Sequence, residues 1–232
     1  MLEIQDIHTY YDTSYILQGV SLKLEEREVV GLFGRNGAGK TTTVKSIMGI
    51  PSPQRGSIKY KGEEISRLAS FQIARKGIGY VPQGRMIFTE FTVKENLEIV
   101  ARNLKRKGVW NLKSILELFP LLERLQKRMG NQLSGGEQQL LAVARTLMGN
   151  PELMILDEPT EGLAPLIVAS LMEAIQTLKS SGITVLLAEQ NIFSAIKVSD
   201  RVYVLDEGKI VFSGSSREFT ENQQIAREHL LV

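Results

Sequence analysis

Cysteine is absent from the 232-residue chain, which excludes a disulfide scaffold, a thiolate zinc site, a cysteine nucleophile and thiol redox chemistry. The same absence fits a reducing compartment. Histidine is scarce: His8 and His229 stand at opposite ends with no ligand spacing, so both are assigned ordinary structural or surface roles. Excess charge of either sign is missing as well. Lys and Arg number 28 against 26 Asp and Glu, a formal +2, so no single-sign field marks nucleic acid as the main partner. Apolar runs such as Ile183 to Ala188 fall far short of the ~20 residues that cross a bilayer, so any membrane role has to come through partners. Met1 to Tyr10 alternates apolar and charged residues where a secretion signal would show a basic start and an apolar run, and no such signal is expected. Internal repeats and low-complexity segments are also lacking.

What is present reads as an ordinary folded chain, 43% hydrophobic and 23% charged. Short apolar runs alternate with helical patterns, which predicts an α/β domain with a largely parallel sheet. The candidate strands are Leu2 to Ile7, Val29 to Phe33, Gly56 to Tyr60, Ile78 to Val81, Leu153 to Asp157, Thr184 to Ala188, Val202 to Leu205 and Ile210 to Ser213. The last two flank Asp206-Glu207-Gly208-Lys209 and read as a hairpin. From about Thr92 to Gly149 apolar residues recur only at helical spacing, so this block is expected to be an all-helical insertion. Pro165, followed by Ile167, Val168, Leu171, Met172, Ile175 and Leu178, predicts a helix opened by proline and buried on one face. Arg102, Lys105, Arg106, Lys107 and Lys113 read as a solvated face, with an approach to anionic lipid headgroups as the second reading.

After the Val29 to Phe33 run comes Gly34-Arg35-Asn36-Gly37-Ala38-Gly39-Lys40-Thr41, which fits G-x-x-x-x-G-K-[ST] and leads through Thr42 into a helical pattern. Such a loop lets backbone N–H groups converge on phosphate oxygens. Lys40 reaches the β- and γ-phosphates, and Thr41 offers a hydroxyl to Mg²⁺. The plainer alternative is a tight strand-to-helix turn with an incidental lysine; the flanking pattern on both sides argues against it.

Leu153 to Asp157 is an apolar run ending in two adjacent acids, Asp157 and Glu158. Asp157 is assigned to the metal and Glu158 to the attacking water, the division a P-loop ATPase requires; alone, the pair would read as a turn cap. Gln83 and Gln190 follow two further predicted strands, where ligands collect in open α/β sheets, although each could be a surface amide.

Leu133-Ser134-Gly135-Gly136-Glu137-Gln138-Gln139 opens a helix carrying Leu140, Leu141 and Ala144. Ser134 and Glu137 have the spacing of a capping box. The two glycines at the positive end of a helix equally suit an anion, and both readings stand at this point.

Taken together, the glycine loop, the LSGGEQ segment and the acidic strand end, in that order, resemble the ATP-binding-cassette (ABC) ATPases over essentially the whole chain. That resemblance implies two cassettes dimerising head to tail, with ATP between the glycine loop of one and the LSGGEQ signature of the other. Ser134, Gly135 and Gly136 would then face the nucleotide of the partner chain. Gln83 would contact the metal and communicate with a transmembrane subunit, and Tyr11 would stack on adenine, with Tyr10 and Tyr15 as nearby competitors. Three stretches, Tyr80 to Phe88, Glu161 to Pro165 and Ala188 to Asn191, are similar to the branched-chain amino-acid and urea importer ATPases. Two departures stand out: Gln190 occupies the switch position usually held by His, and Glu161-Gly162-Leu163-Ala164 replaces the common Ser-x-Leu-Asp. Gln can donate and accept hydrogen bonds but cannot titrate, which leaves Glu158 as the main acid-base group.

The resemblance therefore implies a P-loop NTPase core of mixed sheet, about 1–85 and 150–232, with a helical subdomain at about 86–149. ATP and Mg²⁺ are the expected ligands, with Lys40, Glu158 and Gln190 as catalytic groups. The expected partners are permease subunits, a second cassette (a related ATPase favoured over a second copy) and, indirectly, a solute-binding protein; nucleic acid is not among them. The expected place is the inner face of the cell membrane, reached through the permease, and the expected cargo is branched-chain amino acids. Alternatives are urea or another small polar solute, or a soluble non-transport ABC ATPase. The last lacks support from either a long coiled-coil insertion or a tandem cassette, and a GTPase would need an Asn-Lys-x-Asp motif that the chain does not have.

Overall fold

Alternation of period two sorts the central strands' side chains onto two faces, and this builds the architecture. The computed structural model describes residues 1–104 and 108–230. In chain order the elements are β1 (Leu2–Tyr11), β2 (Ser14–Leu24), β3 (Val29–Phe33), α1 (Lys40–Ile47), β4 (Arg55–Tyr60), β5 (Glu63–Glu64), α2 (Ser70–Arg75) and β6 (Ile78–Val81). Helices α3 (Val93–Leu104), α4 (Leu112–Leu118), α5 (Pro120–Arg124) and α6 (Gly135–Leu147) follow. The chain then returns to β7 (Leu153–Asp157), α7 (Pro165–Ser180), β8 (Thr184–Glu189), α8 (Ile192–Ala195), β9 (Arg201–Asp206), β10 (Lys209–Ser215), α9 (Ser216–Glu221) and α10 (Gln223–His229).

A six-stranded sheet runs β10-β9-β3-β8-β7-β6, parallel throughout except for the antiparallel β9–β10 hairpin. Val29, Phe33, Met154, Leu156, Val185 and Leu187 point to one core, shared with α3 to α7. Their neighbours Val30, Leu32, Leu153, Ile155, Leu186 and Ala188 point to the other, shared with α1 and a second sheet. Strands buried on both faces are why these runs read as continuously apolar.

The second sheet, β2-β1-β4-β5, is antiparallel, so the expected strands Leu2 to Ile7 and Gly56 to Tyr60 pair with each other in a sheet separate from the parallel one. Strand β2 has no counterpart in that reading. Its pairing with β1 shifts register between Ile7↔Val20 and His8↔Gln18, with Gly19 as the extra residue, so the buried Leu17 and Val20 fall three apart instead of two.

The hairpin turn at Glu207-Gly208 has both residues at positive φ, as a two-residue turn requires. Gly208 N–H donates to Ala38 O (2.9 Å) and Gly208 O accepts from Gln18 N–H (2.8 Å), so the turn braces the glycine loop from below. Pro165 stands at the first position of α7, whose buried face is Leu171, Met172, Ala174, Ile175 and Leu178. Among the described residues no helix is long and apolar enough to cross a membrane. Of the basic cluster, Lys113 is exposed, Lys105, Arg106 and Lys107 lie outside the described residues, and the side chain of Arg102 does too.

Candidate active site

Strand β3 delivers the chain to Gly34, and α1 begins six residues later with Gly39 as its cap in the left-handed region, φ 112°. A side chain there would be strained; glycine is not. The first helical bond runs from Thr43 N–H to Gly39 O (2.8 Å), which leaves the amides of the first turn without an acceptor inside the helix. Lys40 is 3% exposed, and its three ammonium protons have three acceptors. Nζ lies 2.8 Å from Gly34 O, 3.0 Å from Arg35 O and 2.9 Å from Glu158 Oε1.

Asp157 ends β7 fully buried, and burial raises its pKa. Hydrogen bonds from Thr41 Oγ1 to Oδ1 (3.0 Å) and from the Tyr80 hydroxyl to Oδ2 (3.1 Å) oppose that rise. The Tyr80 phenol is pushed upward in turn, first by its own burial and then by the Asp157 charge. Thr41 and Asp157 together present hard oxygen donors of the kind Mg²⁺ takes, and a cation beside Asp157 would offset the cost of burying its carboxylate. Glu158 sits at φ 47°, unusual for a residue with a side chain, and its N–H donates to Ala188 O (2.8 Å). That left-handed step costs on the order of 1 kcal/mol, and the carboxylate that follows it is the one paired with Lys40.

A cleft of about 450 Å³ opens above these groups, lined by Tyr11, Asn36, Gly37, Thr42, Gln83 and Glu158 among others. Of the three candidate tyrosines it is Tyr11 that faces the cleft, 42% exposed. Tyr10 and Tyr15 stack on each other instead, with ring centroids 4.5 Å apart, and the Tyr15 hydroxyl is taken by His8. Arg35 turns away from the cleft, its guanidinium reaching Glu228 O at 3.4 Å. Gln190 lines a neighbouring cleft of about 850 Å³ between α7 and α8, to which Glu158 and Glu161 also contribute.

Ser134, Gly135 and Gly136 do not line the cleft that holds Lys40. The capping box at their position is made: Glu137 Oε2 accepts from Ser134 N–H (2.6 Å), and Ser134 Oγ accepts from Glu137 N–H (3.4 Å). The two readings of this segment are compatible, since capping uses the Ser134 and Glu137 amides and leaves those of the glycines.

Two site residues escaped the sequence reading. Tyr80 holds Asp157, but a tyrosine in a strand carries no sign of its partner. Glu189, 2% exposed, accepts from Thr160 N–H at 2.9 Å, and burial pushes its carboxyl up to about 7. Its signal was available: an acid closing an apolar strand, as Asp157 closes the strand beside it.

Comparison with known proteins agrees with this geometry. Residues 17–161 match the family described as ABC transporter. The chain is 42% identical over 232 residues to the high-affinity branched-chain amino acid transport ATP-binding protein BraG of Pseudomonas aeruginosa, covering 99% of each. It is 34% identical to the lipopolysaccharide export system ATP-binding protein LptB of Escherichia coli, covering 99% of this chain and 96% of that one. Among solved structures, the dimeric post-hydrolysis state of the ATP-binding cassette MJ0796 with ADP and Pi superposes with a TM-score of 0.82 at 26% identity, covering 94% of this chain and 99% of that one.

Proposed function

Given that the chain belongs to the ABC transporter family and is an ATPase of that kind, we propose that it energises a membrane importer of branched-chain amino acids. The observation that carries the chemistry is the convergence of Lys40, Thr41 and Glu158 on one cleft, with the buried Asp157 bonded to Thr41 beneath it. Thr41 and Asp157 would hold Mg²⁺, with Gln83 approaching from the cleft wall; Mg²⁺ would supply charge neutralisation on the β- and γ-phosphates. Lys40 and the loop amides would take the remaining phosphate charge. Glu158 would orient a water and accept its proton as the new P–O bond forms and the bond to the β–γ bridging oxygen breaks. Gln190 would hold that water or the γ-phosphate by hydrogen bonding alone. Tyr11 would stack on adenine, and Ser134, Gly135 and Gly136 would close on nucleotide held by a second cassette, a related ATPase in the complete transporter.

A permease subunit, at the inner face of the membrane, fits the apolar groove of about 500 Å³ between α2, β6 and α6. Phe71 and Phe88 stand 59% and 45% exposed there. Tyr80 lines the same groove while its hydroxyl holds Asp157, so a partner seated in the groove touches the residue that orients the metal carboxylate. We take residues about 86–149 as the helical subdomain that carries the signature at the start of α6, while Arg145 and Thr146 near the other end of that helix line this groove.

The test is a mild-detergent pull-down of tagged chain from native membranes, with the solute-binding partner screened against leucine, isoleucine, valine and urea. Two membrane subunits, a second ATPase and a leucine-binding protein are the expected recovery. Recovery of lipopolysaccharide export components, or of ribosomes or repair proteins, would keep the ATPase chemistry and overturn the import assignment.

A further inference from the structure

Arg85 is assigned no role by the glycine loop, the acidic pair or the signature, yet its side chain reaches the signature and the loop that follows the acidic pair. Gly84 and Arg85 are both at positive φ, 89° and 54°, so the segment after Gln83 makes a left-handed turn even at a residue that bears a side chain. The turn aims Arg85 across to the start of α6. There its guanidinium lies so close over Gly135 that a Cβ at that position would overlap Nη1. Nη2 lies 3.4 Å from where a Cβ on Gly162 would stand. One planar group carried by the Gln83 loop thus meets two further segments: the signature and the loop that follows Glu158. Among the described residues Arg85 makes no hydrogen bond or ion pair, and it stands at the positive end of a helix, where a cation is not favoured on electrostatic grounds. Shape, rather than charge pairing, accounts for its place. Further along, Arg145 of α6 donates to Met86 O and stacks over Phe88 at 4.8 Å, so the same segment is strapped to α6 a second time.

We infer that Arg85 is a positioning residue, a wedge that keeps the Gln83 loop, the signature and the Glu161-Gly162 turn in one mutual arrangement. Through Gly135 it sets where Ser134 and Gly136 stand relative to Glu158. The inference rests on the ATPase reading for its kinetic consequence, but its geometric consequence is independent of nucleotide.

Two measurements test it on the full chain. In Arg85→Ala, kcat for ATP should fall about tenfold or more while the Kd for ADP, held by the glycine loop alone, stays within about twofold; Arg85→Lys, which keeps charge but not the plane, should recover only a minor part of kcat. Gly135→Ala should also lower kcat, and its loss should not multiply with that of Arg85→Ala, because each disturbs the same contact. Hydrogen exchange on the protein without nucleotide should quicken at residues 134–137 and 160–163 in Arg85→Ala, with β7 unchanged. Wild-type exchange at both segments overturns the inference whether or not the chain hydrolyses ATP. Wild-type kcat in Arg85→Ala, or fully multiplicative losses, overturns it as well. Failure of the wild type to release phosphate would instead overturn the ATPase reading, and the exchange result would still decide on Arg85.

Discussion

Lys40 Nζ and Glu158 Oε1 lie 2.9 Å apart with both side chains almost wholly buried, so the lysine of the glycine loop and the proposed base neutralise each other. Under the proposed roles, a γ-phosphate arriving at Lys40 would have to compete with that carboxylate, and its success would free Glu158 to face water. Binding and activation of the base would then be one exchange of partners.

The pair predicts an asymmetry between its two knockouts. Lys40→Ala leaves Glu158 buried without its cation, a change that costs about 3–5 kcal/mol in comparable buried pairs. Glu158→Gln leaves Lys40 with two carbonyl acceptors and an amide oxygen in reach. Thermal unfolding should therefore drop steeply for Lys40→Ala and little for Glu158→Gln. Titration calorimetry should show ATP bound several-fold more tightly by Glu158→Gln, since the competing charge is gone, while phosphate release falls by about two orders of magnitude. Equal or weaker ATP binding in Glu158→Gln would show that the pair does not compete with phosphate.

The candidate motifs were legible because they are local, although the structure brings only the glycine loop and the acidic pair together. The glycine loop, the acidic pair and the signature each occupy a short stretch whose residue types state their chemistry, and the parallel strands that carry them are continuous apolar runs. What was not legible depends on pairing across the fold. Strand β2 was hidden by the Gly19 bulge, which breaks its alternation. The Tyr80 bond to Asp157 spans β6 and β7, and nothing near Tyr80 in sequence announces an acid one strand away. Arg85 was legible only as part of a subfamily stretch, because its contacts are with glycines far along the chain.

The tyrosine assignment separates cleanly by mutation. Tyr11 faces the cleft, whereas Tyr10 and Tyr15 satisfy each other by stacking. Tyr11→Ala should weaken ATP binding by about 1–3 kcal/mol, the usual worth of a base on an aromatic ring, and Tyr11→Phe should restore it. Tyr15→Ala should lower the unfolding midpoint and leave nucleotide affinity as it was. Nucleotide titrations of the three variants settle the point; an unchanged Tyr11→Ala would remove Tyr11 from the site.

Gln190 and Glu158 line the second cleft together, and Gln190 carries no titratable proton. Gln190→Ala should lower turnover about tenfold or more with ATP affinity changed by less than about threefold, as expected of a group that acts mainly in the transition state. Steady-state phosphate release beside equilibrium nucleotide binding reads both quantities. Turnover equal to wild type would return Gln190 to the surface amides.

Glu189 makes stability depend on pH in the direction opposite to a salt-bridged acid. Its carboxyl rises from the usual 4.5 to about 7, chiefly through burial, with the Glu158 charge adding to the rise and bonds from Thr160 opposing it. Between those two values the folded chain keeps a proton that the unfolded chain has released, so stability must fall as pH rises. The contribution is fully present below about pH 4.5 and is lost progressively up to about pH 7, a swing of roughly 3 kcal/mol. Glu189→Gln resembles the protonated form and still offers an oxygen to Thr160 N–H, so it should match the wild type near pH 5 and exceed it above pH 7. Other buried acids, Asp157 among them, titrate in both chains, and taking the difference between variant and wild type cancels their effect. Urea unfolding at several pH values between 5 and 8 measures that difference directly. A difference that stays constant across the series would mean that Glu189 is already ionised throughout, held by partners stronger than the Thr160 amide.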